Sequence, residues 1–191
     1  MRKIGVLVLG TYRSGTSALA GVLHNLGFNA DPKTNGPDQF NSTGSFVDKY
    51  LEFVGPAFTW NDYFIARNAH ENWTCKSHAF IFRPDLLTGY KNNFPADREP
   101  WLFVTDRTLD NSHESFNTVS GRTIPKEFFQ QQKQFCLSAY TEWTGRKELI
   151  SFQSLITDTE YTVKHICDIL GAPYSAEAHA FVSANLSQFG V

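Results

Sequence analysis

The stretch that most constrains the fold is VLVLGTYRSGTSALAGVL, residues 6–23. Its first part is apolar and mostly branched, which is typical of a strand buried on both faces of a parallel sheet. Gly10 and Gly15 then form a turn, after which apolar residues recur at helical spacing. A buried strand at 3–9 followed by a glycine-rich turn and a helix at 15–26 predicts the first unit of an α/β fold.

The rest of the chain repeats this alternation of strand and helix. Further strand patterns lie at 73–80, 101–107 and 148–155, and the clearest helical patterns lie at 109–120, 125–143, 158–170 and 176–186. The aromatic segment 55–72 gives no clear element. The alternation predicts a single domain over residues 1–191, with three layers and a mostly parallel central sheet of about four to five strands between helices, similar to P-loop nucleotide-binding folds.

Composition excludes several classes of function. The formal net charge of −2 argues against a nucleic-acid-binding surface. The three cysteines, Cys75, Cys136 and Cys167, are widely spaced and predict buried free thiols rather than a disulfide framework or a zinc site. The apolar run at the start is too short for a signal peptide, and no run is long enough for a membrane span. We therefore expect a cytoplasmic protein without a membrane anchor.

The turn after the first strand carries the side chains of an anion-binding loop. Its glycines have the spacing of the phosphate-binding pattern G-x-x-x-x-G-K-[ST], but Thr16 replaces the lysine and the cation of the loop is Arg13. Backbone N–H groups, a helix N-terminus, a guanidinium and hydroxyl groups all favour an oxyanion. The predicted anion site is formed by Arg13, Ser14, Gly15, Thr16 and Ser17.

A magnesium–triphosphate site is less consistent with the sequence. Nucleotide hydrolases of the Walker type use the missing lysine on the β- and γ-phosphates and need an aspartate near magnesium. The nearest strand ending in an aspartate is WLFVTD, and Arg107 follows Asp106 directly. We expect Arg107 to compete for that carboxylate, so the predicted site uses no metal.

The loop TYRSGTS, residues 11–17, resembles the 5′-phosphosulfate loop of the sulfotransferases that use 3′-phosphoadenylyl sulfate. In that family a lysine or arginine precedes Ser-Gly-Thr and a further hydroxyl residue, and Arg13 to Ser17 match this pattern. The resemblance extends in order over residues 3–171. It implies a sulfotransferase in which Arg13 and the rest of the loop hold the sulfuryl donor, and in which Arg13 also acts in catalysis by stabilising the charge that builds on the sulfuryl oxygens.

The same resemblance implies roles for residues after the later strands. Arg107 at a strand end and Ser115 in the next helix match the family's 3′-phosphate motif. Lys76 and His78 in CKSHAF match the triplet that supplies the catalytic base of cytosolic members, with the lysine near the transferring group. Phe152 matches a tyrosine that packs by the adenine. The late basic stretch of cytosolic members is absent here, and Arg122 or Lys126 are candidates to replace its cations.

Other groups compete with His78 for the role of base. Many bacterial and carbohydrate members carry a glutamate after the loop, and in GSFVDKY the nearest carboxylates are Asp48 and Glu52. We rank both below His78, because an imidazole titrates near neutral pH. His113 and Glu114 rank lower still. The remaining histidines in helical patterns are expected to be structural: His24, His165 and His179.

The predicted reaction is in-line transfer of a sulfuryl group from 3′-phosphoadenylyl sulfate to the hydroxyl or amine of a small molecule or carbohydrate. We expect the segments 55–73 and 31–48 to line the acceptor cleft. One alternative is an ATP-dependent kinase acting on a nucleoside or other small molecule, which would require magnesium. The other is a nucleotide-binding module of the same fold without catalytic activity.

Overall fold

The computed structural model describes residues 3–30, 46–52 and 54–186. Residues 31–45, which form most of the predicted lining segment 31–48, lie outside this range. The strands are β1 (Lys3–Leu9), β2 (Trp73–Lys76), β3 (Arg98–Asp106) and β4 (Arg146–Ser151). The helices are α1 (Thr16–Asn25), α2 (Lys49–Glu52), α3 (Trp60–Asn68), α4 (Ala79–Phe82), α5 (Pro84–Asn93), α6 (Leu109–Ser120), α7 (Lys126–Glu142), α8 (Phe152–Thr157), α9 (Thr159–Leu170) and α10 (Ala176–Leu186). Within the described part of the chain, every helix is too short or too polar to cross a bilayer.

The strands form one parallel sheet in the order β2-β1-β3-β4, which confirms the predicted mostly parallel sheet. Because β1 is central, its carboxyl end lies between those of β2 and β3. Val8 is in register with Lys76, and Leu9 is in register with Val104. The segments that follow these three strands therefore meet at one edge of the sheet, where ligands bind in open α/β folds.

The sheet separates two hydrophobic clusters, which confirms the predicted three layers. Val6 and Val8 point into a cluster with residues of α1, α9 and α10. Leu7 and Leu9 point to the opposite face, into a cluster with residues of α3, α5 and α7. Alternate side chains of a strand face opposite sides of a sheet, so a strand covered on both faces is apolar throughout.

Two helix starts differ from the sequence prediction, and both are set by side-chain caps. The segment 55–72, which gave no clear element, contains α3, where the Thr59 hydroxyl accepts a hydrogen bond from the Asp62 N–H at 3.1 Å. The strand expected over 148–155 ends at Ser151, whose hydroxyl accepts from the Ser154 N–H at 3.2 Å and caps α8. A capping hydroxyl stabilises a helix start because it binds an N–H that lacks a helical carbonyl.

Candidate functional site

The loop between β1 and α1 adopts the conformation of an anion-binding turn. Arg13 and Gly15 both have left-handed backbones, with φ of 62° and 92°. Gly15 is the N-cap residue of α1, and no side chain caps this end of the helix. A side chain at position 15 would collide with the Phe152 ring, because an added Cβ would lie 2.3 Å from Cδ2. The N–H groups of the first turn therefore face the edge of the sheet with the positive end of the helix dipole.

Ser14 is hydrogen-bonded within the loop and to the neighbouring strand. Its side chain is fully buried, and its hydroxyl lies 2.8 Å from the Thr11 carbonyl and 2.7 Å from the Thr105 hydroxyl of β3. Its N–H also binds the Thr11 carbonyl, at 3.2 Å. Both donors of Ser14 thus bind the Thr11 carbonyl within the loop, and its hydroxyl oxygen also joins the loop to Thr105 of β3. The role of Ser14 toward an anion stays a prediction.

Lys76 brings an ammonium group to the loop from the neighbouring strand. It is the last residue of β2 and is 3% exposed, and its Nζ donates to the Ser17 hydroxyl at 3.0 Å. Ser17 belongs to the first turn of α1. The cation that is missing at Thr16 is therefore supplied across the sheet, next to the N-terminus of the helix.

His78 follows two residues later and is the N-cap residue of α4. Its ring is half-buried and lies 4.3 Å from the Tyr12 ring, measured between centroids. Among the described residues, Nε2 of His78 is buried and has no hydrogen-bond partner. Burial, and then the charge of Lys76, lower the pKa of His78 well below its ordinary value. The imidazole is therefore neutral at neutral pH.

Arg107, Ser115 and Arg13 meet on the other side of the loop. Nη1 of Arg107 donates to the Arg13 carbonyl at 2.9 Å, and Nε of Arg13 donates to the Ser115 hydroxyl at 3.2 Å. Burial, and then the charge of Arg13, lower the pKa of Arg107, although the guanidinium stays protonated. Hydrogen bonds therefore join the Arg107 side chain to the Arg13 backbone and the Arg13 side chain to Ser115, so two guanidinium groups lie on this side of the loop.

Phe152 lies beneath this group instead of forming an open wall for an adenine ring. It is 2% exposed, and the guanidinium carbon of Arg107 lies 4.4 Å from its ring centroid. Gly15 packs against its edge. The ring packs under the loop and under Arg107. Because it is buried, Phe152 presents no open face on which an adenine ring could stack.

Lys133 is a cation of this region that the sequence analysis missed. Its Nζ lies 2.6 Å from Oδ1 of Asp106 and donates to the Arg107 carbonyl at 3.2 Å. The expectation that Arg107 competes for Asp106 is therefore wrong, because Lys133 of α7 takes this carboxylate. Lys126 pairs with Asp110 instead, and Arg122 is exposed.

The neighbour of Lys133, Gln132, holds the loop itself. Its Oε1 accepts a hydrogen bond from the Tyr12 N–H at 3.1 Å, although the two residues are 120 positions apart. The Gln132 side chain is 2% exposed. Two adjacent residues of α7 therefore hold two segments of the site: Gln132 binds the loop at Tyr12, and Lys133 binds the backbone of Arg107. No motif in the sequence indicates these contacts.

The alternative bases lie in different surroundings. Asp48 is 1% exposed and pairs with the buried Arg67. It also accepts from the Tyr63 hydroxyl at 2.8 Å and from the Tyr50 N–H at 3.0 Å. Glu52 is exposed. Asp48 is thus a buried, fully engaged carboxylate, which corrects its candidacy as the base.

Among the lower-ranked candidates, Nε2 of His113 lies 2.6 Å from the Ile124 carbonyl, and Glu114 is exposed. His113 therefore joins the end of α6 to the segment before α7. Of the histidines expected to be structural, His165 lies 3.0 Å from a Glu148 carboxylate oxygen. These contacts leave His78 as the histidine beside the loop.

Replacing Asp48 with asparagine is expected to lower the free energy of unfolding by about 3–5 kcal/mol, because Arg67 would keep its buried charge without this carboxylate. Urea unfolding measures the difference. Glu52→Gln is the control, since an exposed substitution changes stability by no more than about 0.5 kcal/mol. If the Asp48→Asn protein were as stable as wild type and inactive, the carboxylate would belong to the chemistry.

The aromatic residues expected to line an acceptor cleft lie mostly in the core. Tyr63, Phe64 and Trp73 are 2%, 4% and 0% exposed and belong to the cluster beneath α3 and α5. This corrects the prediction for the aromatic part of 55–73. The other predicted lining segment, 31–48, lies outside the described residues except for 46–48.

Comparison with known proteins identifies the fold. No protein-family model matches the sequence, and no curated protein matches it significantly. The structure is similar to sulfotransferase STF1 from Mycobacterium tuberculosis, with a TM-score of 0.57, 14% identity and coverage of 100% of this chain and 74% of that one. It is also similar to the sulfotransferase domain of the Synechococcus PCC 7002 olefin synthase, with a TM-score of 0.61, 16% identity and coverage of 92% and 75%. The chain therefore has a sulfotransferase-like fold.

Proposed function

We propose that this protein is a sulfotransferase that moves a sulfuryl group from 3′-phosphoadenylyl sulfate to an acceptor hydroxyl. The observation that carries the proposal is the pair of anion-binding groups around one loop. One consists of the N-terminus of α1 with Lys76, and the other of Arg13, Arg107 and Ser115. A donor with a phosphosulfate at one end and a 3′-phosphate at the other requires two such groups.

The residues present suit this donor. Lys76, Ser17 and the first-turn N–H groups of α1 would hold the 5′-phosphosulfate, because they offer a charge and donors where the helix dipole is positive. Arg107 and Ser115, with Arg13, would hold the 3′-phosphate. Arg107 is charged and only partly buried, and the Phe152 ring beneath its guanidinium holds it at the edge of the loop. The donor supplies a sulfuryl group already activated by its phosphate leaving group.

The protein's own part in the reaction is to take a proton and stabilise charge. Neutral His78 accepts the proton of the acceptor hydroxyl on its imidazole as the acceptor oxygen forms its bond to sulfur. The bond between sulfur and the bridging oxygen breaks, and that oxygen leaves with the bisphosphate. Lys76 and the N–H groups of α1 stabilise the negative charge on the sulfuryl and bridging oxygens. We assume a loose, in-line transition state, as for phosphoryl transfer, in which positioning and electrostatics dominate.

Thermal stabilisation by nucleotides tests the proposal directly. Adenosine 3′,5′-bisphosphate at 100 times its Kd is expected to stabilise the protein by about 2.7 kcal/mol, which raises the melting temperature measurably. AMP at the same concentration is expected to stabilise much less, because it lacks the 3′-phosphate. If only the combination of ATP and magnesium raised the melting temperature, and the bisphosphate did not, the result would support the kinase alternative. Stabilisation by the bisphosphate without turnover of any acceptor would support a non-catalytic module.

A further inference from the structure

Asp106 is the last residue of β3 and places a carboxylate directly before Arg107. Its side chain is 39% exposed, so it lies at the surface of the site and not in the core. A negative charge one residue away opposes the binding of an anion to the Arg107 guanidinium, because like charges repel over several ångströms where water shields them only in part. An anion site at this strand end therefore needs a group that offsets Asp106.

Lys133 of α7 meets both Asp106 and Arg107. Its Nζ lies 2.6 Å from Oδ1 of Asp106, and its side chain is 27% exposed. The same Nζ donates to the Arg107 carbonyl at 3.2 Å. One ammonium thus offsets the carboxylate and holds the backbone from which the Arg107 side chain extends. Ion pairs of this exposure contribute little to folding stability, so we expect the larger effect on the charge of the site.

The position of Lys133 is defined by the way α7 is attached to the site. The preceding residue, Gln132, is 2% exposed, and its Oε1 accepts a hydrogen bond from the Tyr12 N–H at 3.1 Å. Residues of α7 and β3 also share one buried hydrophobic cluster. A helix that is fixed to the loop and to the sheet presents its lysine at one place, so less conformational entropy is lost when the ion pair forms.

We propose that Lys133 sets the preference of this site for a nucleotide with a 3′-phosphate, because it offsets Asp106 and positions Arg107. This inference rests on the proposed function, which assigns the 3′-phosphate to Arg107 and Ser115 with Arg13. Lys133 acts through its neighbours and is therefore a positioning residue. AMP lacks the 3′-phosphate, so its affinity depends little on the charge at this strand end.

The same role accounts for a site that works without the late basic stretch of cytosolic sulfotransferases. Of the two candidates to replace its cations, Lys126 pairs with Asp110 and Arg122 is exposed. Offsetting a negative charge beside a guanidinium changes the potential in the same direction as adding a cation. Neutralising Asp106 therefore raises the positive potential at Arg107 without a further arginine.

Calorimetric titration of the full chain with adenosine 3′,5′-bisphosphate and with AMP tests the proposal. Lys133→Met keeps a side chain of similar length and removes its charge. It is expected to weaken bisphosphate binding about tenfold and AMP binding by less than about twofold. Lys133→Arg is expected to retain most of the affinity, since a guanidinium can also pair with a carboxylate. Lys3→Met is the matched control, because Lys3 pairs with Asp97 at the opposite end of β1.

A second substitution separates this role from a purely structural one. Lys133→Met leaves the Asp106 carboxylate without its ammonium, so adding Asp106→Asn is expected to return bisphosphate affinity to within about twofold of the wild-type value. The loss caused by Lys133→Met is also expected to shrink as the salt concentration rises, because salt screens the carboxylate. The proposal is overturned if the double variant stays as weak as Lys133→Met, or if the loss is independent of salt.

The same titrations distinguish a failure of this inference from a failure of the proposed function. If the wild-type protein binds the bisphosphate no better than AMP, both proposals are rejected. If it prefers the bisphosphate and Lys133→Met keeps that preference, only the role of Lys133 is rejected. Each variant is expected to melt within about 3 °C of the wild type without ligand, since the ion pair is partly exposed. Weaker binding then reports on the site and not on unfolding.

Discussion

Replacing Arg107 with alanine is expected to weaken binding of adenosine 3′,5′-bisphosphate by at least about 30-fold, while AMP binding changes little. Removing one partner of a buried, hydrogen-bonded charge pair costs about 2–5 kcal/mol. AMP lacks the 3′-phosphate that the Arg107 guanidinium would bind. Titration calorimetry with both nucleotides measures the two affinities, and their ratio reports on the 3′-phosphate alone.

Two further variants make this result specific. Arg146→Ala removes an exposed arginine at the start of β4, at the edge of the sheet opposite the loop, and is expected to leave both affinities unchanged. Ser115→Ala removes a smaller donor and is expected to weaken bisphosphate binding by less than Arg107→Ala. If Arg107→Ala kept wild-type affinity for the bisphosphate, the assignment of the 3′-phosphate to Arg107 and Ser115 would fail.

Replacing His78 with asparagine is expected to lower kcat by about 10²–10⁴-fold, because the reaction would lose its general base. Binding of adenosine 3′,5′-bisphosphate is expected to remain, since His78 is not placed among the donor-binding groups. Steady-state kinetics with 2-naphthol as acceptor and calorimetry with the bisphosphate measure the two effects. His24→Asn is the control, because His24 is exposed at the opposite end of α1 and is expected to leave kcat unchanged.

The pH dependence gives a second readout of His78. Its pKa is lowered, first by burial and then by Lys76, so kcat/KM is expected to stay constant as pH falls through 6.5 and to decline only at lower pH. At a pH between the lowered pKa of His78 in the folded protein and the ordinary value of about 6.5, the unfolded chain binds a proton that the folded chain does not. The free energy of unfolding therefore also declines as the pH falls below about 6.5. The part of this decline that His78 causes is expected to vanish in His78→Asn. An acid limb at or above 6.5 would contradict the role assigned to His78.

The backbone of the site was predictable from the sequence because it is encoded locally. The apolar run of β1, the two glycines and the stripe of α1 lie within residues 6–23, and their order specifies strand, turn and helix. Arg107 and Ser115 were singled out by the resemblance to the sulfotransferase family and not by their spacing alone. The alternation of strands and helices along the chain was likewise sufficient for the layered sheet.

Side-chain partners were not predictable, because they join residues far apart in the sequence. Ser14 meets Thr105, 91 positions away, so a hydroxyl that looked available to an anion is used inside the protein. Asp48 looked like a candidate base, since nothing near it in the sequence suggested that Arg67 would be buried beside it. Whether a carboxylate or hydroxyl serves structure or chemistry depends on such distant contacts.

The Lys76 ammonium is carried by a strand and not by a loop, which limits how far it must move to meet a negative charge at this site. A lysine inside a loop must lose conformational freedom each time it closes on a ligand. Here parallel pairing with β1 fixes the Lys76 backbone, and the buried Ser14–Thr105 contact fixes the loop opposite it. Folding therefore orders the cation and the amide groups before a ligand binds, and in the proposed transfer little reorganisation would oppose the build-up of negative charge.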